Sequence, residues 1–117
     1  MATRPEYYDG PIGVVAAVAF PSRCRVTSVW AETIGAGTVW ISVHDKATAP
    51  VLGDEPVYSF RLMANNDIFL PIPNIIGAPG RPFALGLALG WSNSAGSFVP
   101  VGSAGTSRFW ASALVTT

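Results

Sequence analysis

The chain has 117 residues and no net charge at pH 7, and only 12% of its residues are charged against 50% that are hydrophobic. This length predicts one domain with its own core, and no apolar run reaches the ~18 residues that a membrane-spanning helix needs. The scattered arginines argue against the basic stripe typical of nucleic-acid binding. Cys24 is the only cysteine, so it can form neither an internal disulfide nor a cysteine-based zinc site, and we expect a small buried side chain.

Residues 1–11 precede the first predicted strand and include Arg4, Tyr7 and Tyr8. Tyrosine brings contact area and a hydroxyl group at low entropic cost, and it is enriched at protein interfaces. We interpret residues 1–11 as an extended N-terminal arm that docks on another chain, and residues 12–117 as the β-sandwich domain. A free tail is the alternative interpretation.

The rest of the chain consists of short β-like segments separated by Gly, Pro, Asn and Ser, and no segment predicts a helix. About seven or eight short strands with frequent turns indicate an all-β, single-domain antiparallel β-sandwich or jelly roll. Hairpin turns are predicted at 34–37 and 64–67, and a long corner at 74–82. The predicted strands lie at 13–20, 24–34, 38–45, 56–62, 67–72, 83–91 and 108–115, with a weaker one at 97–101.

The predicted strand "FALGLALGW" has two unequal faces, because successive side chains of a strand point to opposite sides. We expect the bulky row to fill the core. We expect the small row to accept side chains from a neighbouring subunit or from the arm, since glycine in a strand often marks a close approach. A loop of the same chain is the alternative cover. The bulky row is Phe83, Leu85, Leu87, Leu89 and Trp91, and the small row is Ala84, Gly86, Ala88 and Gly90.

Catalysis is not expected. His44 is the only histidine, and the adjacent Asp45 points to the opposite face of a strand, where it is badly placed to orient the ring in a Ser-His-acid triad. Asp45 is expected to start a turn instead. The acidic pair Asp54 and Glu55 reads as part of a solvated loop. Phosphate-loop, nucleophile-elbow and metal-ligand spacings are absent from the sequence, so we expect no enzyme activity, no cofactor and no metal.

The four tryptophans are candidates for the core or for contacts. Trp91 shares the parity of the leucines in its strand and is expected in the core. Trp40 lies opposite the apolar face of its own strand, which favours a contact between sheets, with another subunit or with a ligand. Exposed aromatic side chains on a β-sandwich can also stack on sugars, as in a lectin-like module.

The stretch "VWISVHDKATAPVLGDEPVYSFRL", followed later by "PFALGLALGWSNSAGSF", resembles a group of small virion proteins of tailed bacteriophages. In that group a strand ending in His-Asp leads into a T-x-P-x-x-G-x-x-P connector, and a strand of the form F-x-x-G-L-x-x-x-x-S follows. Trp91 departs from the leucine expected before the last serine. The resemblance implies a β-sandwich structural protein that decorates or cements the capsid, without catalytic residues. The matching residues are His44, Asp45, Thr48, Pro50, Gly53, Pro56, Phe83, Gly86, Leu87 and Ser92.

A surface so poor in charge is usually covered by other subunits. The expected function is therefore a structural role in the virion, with the major capsid protein or other virion proteins and further copies of the chain as partners, and with neither a membrane nor nucleic acid. The alternative is a carbohydrate- or receptor-binding module of a phage tail or fibre. The candidate interface residues are Arg4, Tyr7, Tyr8, Trp40, His44, Ala84, Gly86 and Ala88.

Overall fold

A computed structural model describes residues 3–33, 39–63, 67–71, 81–102, 104–105 and 107–116. These residues form nine β-strands and no helix, which confirms the predicted all-β class. The strands build two antiparallel sheets packed as a single β-sandwich. The strands are β1 (Thr3–Asp9), β2 (Ala16–Phe20), β3 (Cys24–Glu32), β4 (Val39–Asp45), β5 (Tyr58–Leu62), β6 (Asp67–Pro71), β7 (Arg81–Phe83), β8 (Leu87–Ser92) and β9 (Arg108–Thr116).

The first sheet has the order β1-β9-β3-β6, and β7 also pairs with β3. Strands β6 and β7 share one edge of β3, since β6 pairs with residues 28–32 and β7 with residues 24–26. The second sheet has the order β2-β8-β4-β5. The two sheets are also linked by side chains, because Arg81 Nη1 donates to the Tyr58 hydroxyl at 2.9 Å and its guanidinium lies 5.0 Å from the tyrosine ring.

The core lies between the sheets and is filled by the inward-facing side chains, which alternate with outward-facing ones along each strand. In β3 both Val26 and Val29 are buried although they are an odd number of residues apart. The register between β3 and β9 shifts between Val26 and Ser28, and such a bulge changes which residues of the strand face inward. Cys24 is buried as expected. Its burial, and to a smaller extent the negative charge of Asp45, raise the pKa of its thiol to about 11.

The interpretation of residues 1–11 as an arm requires correction. Residues 3–9 form β1, which pairs along its whole length with β9 of the same chain. Tyr8 points inward and stacks on Phe109 with 6.1 Å between ring centroids. Arg108 then fixes the end of the strand, because it pairs with Asp9 and donates to the Gly10 carbonyl. The segment is an edge strand of the sandwich rather than a separate arm.

The predicted strand 83–91 is divided into β7 and β8 at residues 84–86. The Asp45 carboxylate accepts backbone hydrogen bonds there from Ala84 at 3.0 Å and from Leu85 at 2.8 Å. Gly86 has φ 149°, and a Cβ at this position would collide with the Phe20 carbonyl. Because of this break the Leu85 side chain points towards solvent and is 59% exposed. Its assignment to the core was wrong. Phe83, Leu87, Leu89 and Trp91 are buried as predicted.

The small row of β8 is covered by the chain itself and not by a neighbour. A Cβ on Gly90 would lie 2.5 Å from the Phe98 ring and 3.2 Å from Pro50, so both side chains pack directly on this glycine. Ala88 is fully buried. The alternative of an internal loop cover is therefore the correct one. We call the covering segments, residues 46–57 and 93–100, the roof.

The remaining predictions concern the bounds of single strands and the positions of turns. The strand expected at 97–101 is reduced to one bridge between Ser92 and Pro100, and the strand expected from 13 begins at Ala16. The turn predicted at 34–37 lies outside the described residues, as do all but the last residue of the turn at 64–67 and residues 74–80 of the corner at 74–82.

Candidate functional site

His44 lies in a closed compartment beneath the roof. Ile41 and Val43 of β4 face the sandwich core, so Ser42 and His44 face the roof, and all four side chains are buried. The Ser42 hydroxyl is 2.5 Å from His44 Nε2. The Phe98 ring meets the imidazole edge-on with 5.8 Å between centroids.

Burial lowers the pKa of His44 below its ordinary value, since it penalises the charged ring. Asp54 and a hydrogen bond with the Glu55 backbone oppose this effect, and Lys46 adds to it. Because a carbonyl only accepts, the ring donates to Glu55, and its other nitrogen is then free to accept from Ser42. Asp45 is turned away towards residues 84–86, so it does not orient His44. His44 therefore serves the packing of the roof, and its assignment to an interface was wrong.

The roof is held by residues of the predicted connector. The backbone N–H of Gly53 donates to the Phe98 carbonyl at 2.8 Å, and the N–H of Phe98 donates to the Asp54 carbonyl at 2.7 Å. The Asp54 carboxylate pairs with Lys46 at 2.6 Å and accepts from the N–H of Val51, and these bonds lower its pKa. The buried Ser92 hydroxyl accepts from the N–H of Val99 at 3.0 Å. The connector thus places Phe98 on β8.

An open groove lies on the outer face of the first sheet, across β1, β9 and β3. The side chains of Tyr7, Trp110 and Trp30 come from successive strands of that sheet and form its walls. We call this site the aromatic groove. The pairing register explains its composition, since Trp30 is directly opposite Trp110, and Ser112 lies between Tyr7 and Ser28. Tyr7 is 78% exposed and Trp30 is 48% exposed.

The geometry of the aromatic groove is fixed by contacts among its own residues. The Trp30 and Trp110 rings are 5.5 Å apart and inclined at 49°. The Arg108 guanidinium lies 4.6 Å from the Trp110 ring centroid and pairs with Asp9 at 2.7 Å. The open groove has a volume of about 270 Å³. The groove is therefore a shaped aromatic site with an ion pair at its rim.

The floor of the groove is a cluster of hydroxyl groups that satisfy one another. Ser112 Oγ lies 2.7 Å from Thr27 Oγ1 and 2.5 Å from Ser28 Oγ. A hydroxyl can donate one hydrogen bond and accept two, so Ser112 can serve both neighbours at once. The interior of the groove remains apolar as a result, and its polar groups are concentrated at the rim.

Sequence reasoning identified one wall of this site and missed the others. Tyr7 was predicted at an interface, and Trp40 was preferred among the tryptophans, but Trp40 is half-buried on the second sheet. The signal for Trp110 is the alternation in "RFWASAL". Phe109 and Ala111 face the core, which places Trp110 and Ser112 outside. For Trp30 the bulge at Val26–Ser28 changes the parity, so a simple count along β3 gives the wrong face.

A second exposed feature, which we call the apolar end, consists of Val51, Leu52 and Leu85. Leu52 is 71% exposed. The turns that carry these side chains are tied to Lys46, whose N–H donates to the Gly86 carbonyl and whose ammonium pairs with Asp54. Both turns therefore lie at the end of the sandwich where β4 ends.

The other predicted interface residues are divided between surface and interior. Arg4 is exposed and pairs with Glu6 at 2.7 Å, and Ala84 is exposed in the turn beside Leu85. Gly86 and Ala88 are buried within the chain, and Tyr8 is half-buried against Phe109. Gly86 and Ala88 are therefore corrected to packing positions.

Within the described parts of the chain, no group of three or more His, Cys, Asp or Glu side chains is arranged to hold a metal ion. The same residues contain no helix that is long and apolar enough to cross a bilayer. Comparisons of the chain with protein-family models, with curated proteins and with solved structures found no match.

Proposed function

We propose that this chain is a non-enzymatic structural protein of a tailed-bacteriophage particle, which decorates or cements the capsid through contacts between subunits. The observation that carries the proposal is the apolar end, where Val51, Leu52 and Leu85 are exposed on two turns fixed by Asp54 and Asp45. The sequence resemblance supports the same role.

The apolar end is suited to a subunit contact because its shape is set before binding. The Asp54 carboxylate accepts the N–H of Val51 at 2.9 Å, and the Asp45 carboxylate accepts the N–H of Leu85 at 2.8 Å. A partner therefore does not have to order these turns, which lowers the entropic cost of association. Fully burying each leucine contributes roughly 1.5–3 kcal/mol.

The test is co-sedimentation of the purified chain with capsids of the source phage that were assembled without it. The double variant Leu52→Ser/Leu85→Ser should weaken binding by at least about 100-fold, since two leucines are no longer buried. Its thermal unfolding should match that of the wild type, because both side chains are exposed in the free chain.

Met63→Ser is the matched control. Met63 is also an exposed large apolar side chain, but it follows β5, whose last residue Leu62 pairs with Val39 at the opposite end of β4. The control should bind capsids as the wild type does. Equal binding of the double variant, or failure of the wild-type chain to bind capsids, would overturn the proposal.

A further inference from the structure

We propose that the aromatic groove is a carbohydrate-binding site, which accepts a pyranose ring of a neutral glycan between Tyr7 and the Trp30–Trp110 pair. This inference goes beyond the structural role proposed above and does not depend on it. It assigns a ligand to a surface on the first sheet, whereas the apolar end lies at the roof and the end of β4.

The walls of the groove match the apolar faces of a sugar ring. A pyranose presents C–H bonds on its flat faces, and these pack on aromatic rings, which carry negative charge on their own faces. Tyr7 is largely exposed, Trp30 is about half exposed, and the two side chains come from different strands. The 49° inclination between the indoles gives a concave seat rather than a flat wall.

The rim of the groove matches the hydroxyl groups at the edge of a sugar ring. Asp9 is a hydrogen-bond acceptor and Arg108 is a donor, and they lie 2.7 Å apart beside Trp110. Their charges compensate each other, which favours a neutral ligand. An apolar side chain seated in the groove would remove this ion pair from water without replacing its hydrogen bonds, and that desolvation is costly. Sugar hydroxyls would replace the water.

A peptide added as an extra strand fits this site less well. Gly10 donates to the Phe109 carbonyl in the β1–β9 ladder, so the alternation of antiparallel pairs directs the backbone groups of Thr3, Pro5, Tyr7 and Asp9 to the open edge. Proline has no N–H group, and Pro5 therefore interrupts the donors that an added strand would need.

The size of the groove limits the ligand. Its volume of about 270 Å³ is slightly below the range of small-molecule sites, which span roughly 300–1,000 Å³. One ring of a glycan can be seated, while the neighbouring sugar units extend along the sheet surface. We therefore expect recognition of a single unit within a longer chain.

The experiment is an array of purified bacterial O-polysaccharides, peptidoglycan fragments and linear glucans, followed by titration of any bound glycan with tryptophan fluorescence as the readout. The wild type should bind at least one glycan and change its fluorescence. Trp30→Ala and Tyr7→Ala should each weaken binding by at least about tenfold. Asp9→Asn should also weaken it, because this variant removes the charge of the acceptor at the rim.

Met63→Ala is the control, because it removes an exposed apolar side chain outside the groove. It should bind as the wild type does. Absence of binding to every glycan on the array would overturn the proposal. It would also be overturned if Trp30→Ala and Tyr7→Ala both bound the glycan as tightly as the wild type does. Loss of capsid binding in both groove variants without any glycan binding would identify the groove as a subunit contact and overturn it as well. The Leu52→Ser/Leu85→Ser variant should keep its glycan binding, which separates this test from that of the structural role.

Discussion

His44 is a buried residue whose surroundings favour its neutral form. It is enclosed by Phe98 and the connector, and both ring nitrogens have hydrogen-bond partners in its neutral form, Ser42 and the Glu55 backbone. A charged imidazole would have to be desolvated in this compartment, where the paired Lys46 and Asp54 act on it with opposite signs. The neutral ring is therefore the form that packs the roof.

This environment predicts a pH dependence of stability. The pKa of His44 is lowered in the folded chain relative to its value of 6.5 in the unfolded chain, so the unfolded state binds the proton more readily. The contribution of His44 to the free energy of unfolding should be fully present above about pH 6.5. The free energy of unfolding should decrease as the pH falls from there towards the lowered pKa. Urea unfolding at pH 7.5 and pH 5.0 measures the difference. His44→Gln should remove most of it, and an unchanged difference in this variant would contradict the account.

Gly90 is the residue on which the roof rests. Gly90→Ala should destabilise the chain by about 1–3 kcal/mol, because the new methyl group displaces Phe98 from a packed position. Gly96→Ala is a matched control, since a Cβ there meets nothing within 4 Å, and its effect should stay within about 0.5 kcal/mol. Chemical unfolding of both variants provides the comparison, and equal stabilities would show that the roof does not pack on β8.

Asp45 is predicted to stabilise the break between β7 and β8. Asp45→Ala leaves the N–H groups of Ala84 and Leu85 without their acceptor, and it should cost about 1–3 kcal/mol. Glu55→Ala, which removes an exposed carboxylate, should have an effect within about 0.5 kcal/mol. Thermal unfolding measures both, and a neutral Asp45→Ala would argue that the turn holds without the carboxylate.

At the scale of elements, β1 is the strand whose role changed most between sequence and structure. Deletion of residues 1–10 should strongly destabilise the sandwich or prevent folding, because it uncovers the edge of β9 and removes Tyr8 from Phe109. Arg4→Ala should change stability by less than about 1 kcal/mol, since its pair with Glu6 is exposed. Circular dichroism during heating distinguishes the two. A truncated chain with an unchanged melting temperature would restore the interpretation as an arm.

The elements were predictable from the sequence where apolar and polar residues alternate along one strand and a turn residue ends it. This holds for β4, in which Ile41 and Val43 face the core as expected. It fails where a distant residue decides the local structure. The break before β8 depends on Asp45, which lies 39 and 40 residues before the Ala84 and Leu85 whose N–H groups it accepts. The small row was read as a surface because Phe98 could not be placed on Gly90 from its position in a loop.

The candidate site was predictable only in part for a related reason. An aromatic groove requires side chains from three strands to share one face, and the register between those strands is a property of the folded sheet. Tyr7 was recognised because paired tyrosines are unusual in a free tail. Trp30 and Trp110 were not, because the bulge in β3 changes the parity of Trp30 and the sequence does not show that these residues are directly opposed.

At the scale of the whole molecule, several of the few charged side chains form ion pairs at strand ends and turns, such as Arg108 with Asp9 and Lys46 with Asp54. Large apolar side chains are exposed at the apolar end and in the aromatic groove, and also at Ile12 and Met63. Under our two proposals, a neighbouring subunit covers the apolar end and a glycan occupies the aromatic groove.

The most direct test of the proposed role is a cryo-electron microscopy map of the phage particle to which we propose that this chain belongs. The account predicts regularly repeated density for this β-sandwich on the capsid, with Val51, Leu52 and Leu85 buried against a neighbouring subunit. A particle without this density, or density in which these side chains face solvent, would contradict it.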